Sequence, residues 1–281
     1  MTTMDGAQIS VIIPAHNEAD YIGATLASLI ASRLDGIAAE LIVVPNGCRD
    51  ETAEIARALG PRAEAAGWSY RVIESAAGGK PLALDLGEEA ATGRVLAYID
   101  ADVIVSPRLV AALAEALDTD VPRYGSGRPA VMRSPSAATR AYARIWTRLP
   151  MFNATAPGFG VFAMNRAGRA RWGKWPKVRG DDAFARLAFT PDERIEVPEG
   201  YEWPLTDGFL PLMRVRRRQD RGVREVAALH PELMGNDGVE KVGLSGALRL
   251  LVTDPPGMIV YSVIKIASRT GADSGGWTRG R

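Results

Sequence analysis

The stretch "VIIPAHNEADYIGATLASL", residues 11–29, decides the fold class of this chain. A short β-branched apolar run over residues 9–13 ends at Pro14, and apolar residues then return at a helical spacing over residues 18–31. This pattern predicts a strand followed directly by a helix.

The same pattern recurs three more times within the first 120 residues. Further strands are predicted at 41–44, 70–73 and 95–99, each followed by a helix, at 51–59, 80–91 and 107–117. Such alternation is typical of an α/β fold with an open, mostly parallel sheet and flanking helices on both faces. Strands this continuously apolar are expected to be buried on both sides.

Composition narrows the class of protein. The 281 residues are 47% hydrophobic and 24% charged, as in ordinary globular proteins, and the net charge of +1 gives no electrostatic reason to expect a nucleic-acid partner. The single cysteine excludes an internal disulfide. No apolar run reaches the roughly 18 residues of a membrane-spanning helix, and no secretory signal is recognisable, so we expect a cytoplasmic protein.

Polar residues follow three of the predicted strands, in the turns 14–18, 45–50 and 100–102. In open α/β sheets the ligand lies beyond the carboxyl ends of the strands, so these turns are the candidate site. Asn46 carries an amide donor and acceptor suited to the edge of a pyrimidine base. Asp50 is expected to cap the helix that follows it.

Asp100 and Asp102 flank one small residue after the fourth strand. If the segment stays extended, alternate side chains face the same way and both carboxylates point into one site. Two carboxylates beside a diphosphate are the usual protein ligands of Mg²⁺ or Mn²⁺, with phosphate and water completing the shell. The alternative is a polar turn that caps the next helix.

Three stretches together carry a family resemblance: residues 11–29, "ELIVVPNGCRDETAEIA" at 40–56 and "GGKPLALDLGEEAATGRVLAYIDADV" at 78–103. They resemble the nucleotide-sugar half of family-2 glycosyltransferases, which are inverting enzymes of the GT-A fold. The resemblance covers residues 8–120 closely and extends more loosely to about 230.

The resemblance implies roles for individual residues. Its nucleotide turn corresponds to Pro14, Ala15, His16 and Glu18, its base-contacting residue to Asn46, its basic residue near the nucleotide to Lys80, and its metal motif to Asp100 and Asp102. Two positions depart from the family pattern: His16 stands where tyrosine is usual, and Pro45 replaces a frequent aspartate.

The second half resembles the acceptor half of the family in two segments. Residues 156–173, "APGFGVFAMNRAGRARWG", resemble its glycine-rich acceptor loop with the following strand and helix, and residues 179–189, "RGDDAFARLAF", resemble its acidic pair. The resemblance makes Asp182 the catalytic base. A sugar hydroxyl needs such a carboxylate to take its proton during an inverting displacement. The alternative for Asp181 and Asp182 is an N-cap and first-turn acid of the helix that follows.

Two groups of arginines have an open interpretation. Arg140, Arg144 and Arg148 form one helical stripe, and a second cluster runs from 214 to 224. Both groups are interpreted as solvated helix faces. Alternatively, one or two arginines of the second cluster contact the diphosphate. With Trp146 and the apolar segment 258–266, both would also suit peripheral contact with an anionic inner membrane surface.

The resulting hypothesis is a three-part chain: a nucleotide-sugar-binding half at 1–120, an acceptor and catalytic half at 121–231, and a tail at 232–281 that contacts membrane. The predicted reaction is metal-dependent, inverting transfer from a nucleotide diphosphate sugar to a hydroxyl of a glycan, lipid-linked or small-molecule acceptor. Two alternatives stay open: a non-catalytic sugar-nucleotide-binding relative, and a nucleotidyltransferase of similar architecture. The sequence assigns no oligomeric state.

Overall fold

The computed structural model describes residues 7–269, and its centre is an eight-stranded sheet. The strands are β1 (Ile9–Ala15), β2 (Ala39–Pro45), β3 (Trp68–Val72), β4 (Val95–Ile99), β5 (Ile104–Val105), β6 (Tyr124–Val131), β7 (Val161–Asn165) and β8 (Arg194–Trp203). Their order across the sheet is β3-β2-β1-β4-β7-β6-β8-β5. The predicted α/β class is confirmed.

The first four strands form the parallel part of the sheet. β1 pairs in parallel with β2 and with β4, and β2 pairs in parallel with β3. Every residue of β1, β2 and β4 is buried, as predicted for strands covered on both faces. β7 then runs antiparallel to β4 and to β6, and β5 pairs antiparallel with β8.

The helices have a wide range of lengths. They are α1 (Ile22–Ile30), α2 (Thr52–Ala58), α3 (Gly60–Ala65), α4 (Lys80–Ala90), α5 (Leu109–Leu117), α6 (Ala137–Trp146), α7 (Arg166–Arg169), α8 (Asp181–Leu187), α9 (Phe209–Leu229), α10 (Leu244–Thr253) and α11 (Pro255–Ala267). Two short 3₁₀ turns lie at Pro191–Glu193 and Pro231–Asn236. The four helices predicted in the first 120 residues are confirmed, although α1 begins four residues later than predicted, because residues 18–21 form a turn.

Helices cover both faces of the parallel strands. On one face Leu26 of α1 and Leu113 of α5 join the main core with alternate residues of β1 and β2. On the other face Ala83 of α4 packs with Ile42 and Val44. α4 approaches β1 closely through Gly87, where an added Cβ would lie 2.5 Å from Cγ2 of Ile12.

The described residues divide into two compact units. The first comprises residues 7–130, 158–177 and 192–203, and therefore holds the sheet. The second comprises residues 131–157, 178–191 and 204–269, and is built mainly from helices. The functional division expected from the sequence, at 120 and 231, stays a prediction. Within residues 7–269 no helix is both long and apolar enough to span a bilayer.

Candidate active site

In the turn after β1, both ring nitrogens of His16 make hydrogen-bond contacts. Nδ1 of His16 lies 2.6 Å from the carbonyl oxygen of Asn46, which can only accept, so this nitrogen carries the proton. Nε2 lies 3.1 Å from Nδ2 of Asn17, whose own oxygen accepts from the backbone N–H of Arg49 at 2.7 Å. The contacts therefore define one neutral tautomer of His16. Asn17 itself adopts a φ of 54°, a left-handed value that asparagine tolerates.

Pro14 and Ala15, assigned to the nucleotide turn by the resemblance, are the last two residues of β1. Both are buried, with Ala15 only 1% exposed. The carbonyl oxygen of Ala15 accepts from both the backbone N–H and the side-chain amide of Asn46. The end of β1 is thus connected to the turn at Asn46 by hydrogen bonds to the main chain of Ala15.

Asn46 joins three loops and is 1% exposed. Its Nδ2 donates to the carbonyl oxygens of Ala15 and Val44, at 2.9 and 3.3 Å, and its Oδ1 accepts from the backbone N–H of Gly79 at 2.9 Å. Both amide hydrogens are therefore directed to main-chain oxygens. The structure shows Asn46 positioning the loops, and the base contact implied by the resemblance stays a prediction.

Asp50 connects the first two turns. Its carboxylate accepts from the backbone N–H of Thr52, the first residue of α2, at 3.2 Å. Glu51 occupies the N-cap position, so the expected cap at Asp50 is wrong. The other carboxylate oxygen accepts from the N–H of Ala19 at 3.2 Å. The hydroxyl of Thr52 in turn accepts from the N–H of Glu18 at 2.7 Å, which fixes the backbone of that predicted nucleotide-binding residue.

Glycines bring the second and third loops into backbone contact. An added Cβ at Gly47 would lie 2.8 Å from Cα of Gly78, and Gly47 has a φ of 56° that disfavours other residues. Gly79, with a φ of 142°, is the N-cap residue of α4. Because these two loops are in close contact, Lys80, the first residue of α4, lies at the carboxyl edge of the parallel strands.

Asp100 and Asp102 lie beyond the end of β4 and are both partly exposed, whereas Ala101 between them is 4% exposed. The expected extended conformation is wrong: residues 101 and 102 form a turn. The hydroxyl of Thr25 donates to the carbonyl oxygen of Ala101 at 2.8 Å, and this buried contact helps hold the turn. Both residues stay partly exposed in this turn, although Oδ1 of Asp102 is buried.

Lys80 provides the electrostatic contact that the sequence could not place. Its Nζ lies 2.8 Å from Oδ1 of Asp100, and the two side chains are 24% and 36% exposed. A cation therefore already rests on one carboxylate of the pair. Carboxylate oxygens are hard donors and fit Mg²⁺ or Mn²⁺, so the residues present suit the implied metal. Within residues 7–269 no group of three or more acidic, histidine or cysteine side chains forms a complete metal site.

The glycine-rich loop meets this carboxylate pair within the first unit. The carbonyl oxygen of Gly160 accepts from the backbone N–H of Asp100 at 2.8 Å, because β7 lies beside β4 with Val161 opposite Ile99. Gly160 has a φ of 71°, and an added Cβ would lie 3.0 Å from Val103. The ring of the neighbouring Phe159 stacks on that of Trp203, with a distance of 5.6 Å between the ring centroids.

Sequence reasoning missed Gly160 as a neighbour of Asp100 and Trp203 as a neighbour of Gly160. The signal for Gly160 was the paired glycines before a strand, which the resemblance had assigned to an acceptor loop. Trp203 carried no such signal, because its position beside Gly160 depends on where β8 lies in the sheet.

Asp182 lies in the second unit, in the first turn of α8. It is partly exposed, and its Oδ1 accepts from the N–H of Ala183 at 2.8 Å. Asp181 is 6% exposed. The alternative of an N-cap at Asp181 is wrong, because α8 begins at Asp181 and Gly180 occupies the N-cap position.

α9 fixes the segment before α8. An added Cβ at Gly222 would lie 2.7 Å from the backbone nitrogen of Gly180, so the backbones of the two segments are in direct contact. Glu225 of α9 accepts from the backbone N–H of Arg179 at 3.1 Å and from its guanidinium at 2.8 Å. The position of Asp182 therefore depends on α9, which the sequence analysis did not foresee.

Several arginines of the cluster at 214–224 serve internal contacts of the second unit. Arg221 lies 3.4 Å from Glu225, Arg216 lies 3.6 Å from Asp220, and Arg217 donates to the carbonyl oxygen of Ala267 at 2.9 Å. Arg214 and Arg224 are exposed. A contact of the cluster with a diphosphate stays a prediction.

The membrane contact suggested for the first stripe stays a prediction, although Trp146 and two of the stripe's three arginines make contacts within the second unit. Trp146 is 4% exposed and stacks with Tyr142, so it is a core residue of the second unit. Arg144 is bound to Asp254 by two hydrogen bonds of 2.6 and 3.0 Å, and Arg140 donates to the carbonyl oxygens of residues 134 and 135. Of the expected tail, residues 270–281 lie outside the described residues.

The strand order and the position of the site define an α/β protein of the GT-A class. Residues 10–171 match the model of the family described as glycosyl transferase family 2. The matched region exceeds half of the chain, and the chain belongs to this family.

A curated relative and two solved structures illustrate the likeness. The glycosyltransferase AglD of Haloferax volcanii is 31% identical over 159 residues, which are 52% of this chain and 25% of that protein. The mannosyltransferase PcManGT of Pyrobaculum calidifontis, solved with GDP-Man and Mn²⁺, matches with a TM-score of 0.58 at 18% identity, over 96% of this chain and 77% of that one. The glucosyl-3-phosphoglycerate synthase of Mycobacterium tuberculosis, solved with Mn²⁺, UDP and glucosyl-3-phosphoglycerate, matches with a TM-score of 0.52 at 23% identity, over 79% and 80% of the two chains.

The curated relatives and the solved structures differ in how much of their own length the match covers. The chain spans between a quarter and a third of the length of the curated relatives it matches. The structural matches cover most of both chains, and at this level of identity they show the fold.

Proposed function

We propose that this protein transfers a sugar from a nucleotide diphosphate to an acceptor hydroxyl with inversion, and that a divalent metal ion is required. The observation that carries the proposal is the partly exposed pair Asp100 and Asp102, with Lys80 on Asp100, at the carboxyl edge where the turns of His16 and Asn46 meet. Membership of family 2 supports the reaction class.

In this proposal Asp100 and Asp102 bind the metal ion, and Lys80 lies beside them as a second positive group. The ion, when bound, neutralises the charge that develops on the departing nucleotide diphosphate. Mn²⁺ accompanies the nucleotide in both solved neighbours named above, which supports a divalent ion here. The backbone of residues 14–18 and the loops held by Asn46 form the nucleotide cradle.

Asp182 is proposed as the base that removes the proton from the acceptor hydroxyl oxygen. A single displacement at the anomeric carbon needs a carboxylate within hydrogen-bond reach of that hydroxyl, and Asp182 supplies one. The acceptor class, whether glycan, lipid-linked or small molecule, is left to the assay.

Calorimetric titration tests the nucleotide and metal part of the proposal. UDP and GDP are titrated into the intact protein with Mn²⁺, with Mg²⁺ and with chelator, and we expect metal-dependent binding of at least one of them. Asp102→Ala is expected to remove that binding while the melting temperature stays nearly unchanged, because a partly exposed carboxylate beyond a strand contributes little to folding.

Asp192→Ala is the matched control, since this acid is exposed and lies in a 3₁₀ turn rather than at the carboxyl edge of the parallel strands. If Asp102→Ala binds the nucleotide as tightly as the intact protein and still requires metal, the metal assignment is overturned.

A further inference from the structure

Helix α10 carries an apolar face that the described part of the chain leaves open to solvent. None of its ten residues is buried. Leu244, Leu248, Leu251 and Val252 are 93%, 61%, 43% and 71% exposed, respectively. At 3.6 residues per turn these four side chains fall within an arc of about 100°. Large apolar side chains grouped in this way mark an interaction surface.

A basic groove lies beside α10. Arg148, Lys241 and Arg249 line a groove of about 620 Å³ beside the helix, and no acidic residue lines it. None of these three side chains lies within ion-pair distance of a carboxylate anywhere in residues 7–269. An apolar stripe flanked by unpaired cations is the pattern of a helix that lies in the interface of an anionic membrane.

The neighbouring helix holds α10 in place and extends the apolar surface. α11 is attached to α6 by the ion pair between Asp254 and Arg144, and the Asp254 carboxylate also caps α11 through the N–H of Gly257 at 2.9 Å. Its inner face buries Ile264, whereas Ile259 and Ile266 on its outer side are 60% and 64% exposed. The short connection at residue 254 leaves α10 beside a firmly packed partner.

We infer that α10 is a docking surface for an anionic lipid bilayer, with its apolar stripe in the acyl boundary and the cations of the adjoining groove on lipid phosphates. A second copy of the chain is a poorer occupant, because a symmetric contact through this face would bring the same unpaired cations together. The inference is independent of the proposed transferase activity, since none of these residues belongs to the candidate active site.

Vesicle co-sedimentation of the intact chain tests the inference. We expect binding to vesicles of phosphatidylcholine with phosphatidylglycerol, little binding to phosphatidylcholine alone, and weaker binding as salt is raised. The double variant Leu244→Ser/Leu248→Ser should lower partitioning by at least about tenfold. Lys241→Ala/Arg249→Ala should lower it by about fivefold per removed cation and reduce its salt dependence.

Val121→Ser and Arg62→Ala are the matched controls, because both residues are exposed and lie in the first unit. The substituted side chains of α10 are exposed as well, so circular dichroism melting curves of all variants should coincide with that of the intact chain. The inference is overturned if the intact chain binds neither vesicle, or if the apolar variant binds as well as the intact chain. It is also overturned if the face instead forms a dimer that the apolar variant dissociates.

Discussion

At the scale of single residues, the carboxylates and the histidine of the candidate site have different reasons for their positions. Asp100 and Asp102 follow the end of β4, which sequence pattern can locate, although the turn between them was expected to be extended. The tautomer of His16 depends on a carbonyl thirty positions away and on the orientation of the Asn17 amide. The position of the carboxylates after a strand was therefore predictable, whereas the tautomer of His16 depends on tertiary contacts that no local pattern reveals.

Asp182 offers a residue-scale test of the catalytic assignment. Asp182→Asn keeps the size of the side chain but removes its ability to take a proton, so turnover should fall by about 10²–10⁴-fold. The dissociation constant of the donor should stay close to that of the intact protein, because the residue is proposed to act on the acceptor. Turnover assays with saturating donor, together with donor calorimetry, measure both quantities.

Asp181→Asn is the companion variant, since Asp181 neighbours Asp182 in the chain but is buried. Preserved turnover in Asp182→Asn would contradict the assignment and direct the search for the base to Asp181. Lost donor affinity would place Asp182 in the nucleotide site instead.

At the scale of elements, strands β1–β4 and helices α1, α2 and α4 followed from apolar periodicity, because local runs of buried residues determine them, whereas α3 was not predicted. Element boundaries were less accurate where a polar turn separates strand from helix, as at residues 18–21 before α1. The close contact of α8 with α9 was not predictable, because it depends on two glycines, Gly180 and Gly222, that are far apart in sequence.

The junction of α10 and α11 makes an element-scale prediction about pH. Hydrogen bonding to Arg144 lowers the pKa of Asp254 to about 2, with the N–H of Gly257 contributing and partial burial opposing. A carboxyl whose pKa is lower in the folded chain stabilises the fold above its unfolded pKa, near 4, and loses this effect as pH falls towards 2.

Asp254→Asn should therefore lower the melting temperature at neutral pH, and the difference from the intact chain should close between about pH 4 and about pH 2. Thermal melts over this range measure it. Asp120→Asn is the control, because that side chain is fully exposed and its contact with Arg94 at 3.7 Å should contribute little. A pH-independent difference for Asp254→Asn would show that capping, rather than the ion pair, is responsible.

At the scale of the whole molecule, the polar network around Glu88 shows what sequence pattern leaves out. Periodicity placed Glu88 on α4, but its carboxylate accepts from Tyr98 at 2.7 Å, Arg169 at 2.7 Å and the indole N–H of Trp175 at 2.5 Å. The last two partners lie 81 and 87 positions away in the sequence. The antiparallel pairing of β7 with β4 brings them together, and no local signal predicts that pairing.

Removing this carboxylate should destabilise the fold. Glu88 and Arg169 are 12% and 11% exposed, so Glu88→Ala leaves a largely buried guanidinium without its partner. The free energy of unfolding in urea should fall by about 3–5 kcal/mol. Glu89→Ala, at the exposed neighbouring position, should stay within about 0.5 kcal/mol. Equal stability of the two variants would contradict the structural role given to the network.

The release of nucleoside diphosphate from a panel of uridine and guanosine diphosphate sugars tests the central claim most directly. The intact protein is incubated with each donor in Mn²⁺, in Mg²⁺ and in chelator, and slow donor hydrolysis is followed without acceptor. We expect release from at least one donor that requires the metal and is lost in Asp102→Ala. Release from no donor under any condition, or release that continues unchanged in chelator, would contradict metal-dependent transfer from a nucleotide sugar.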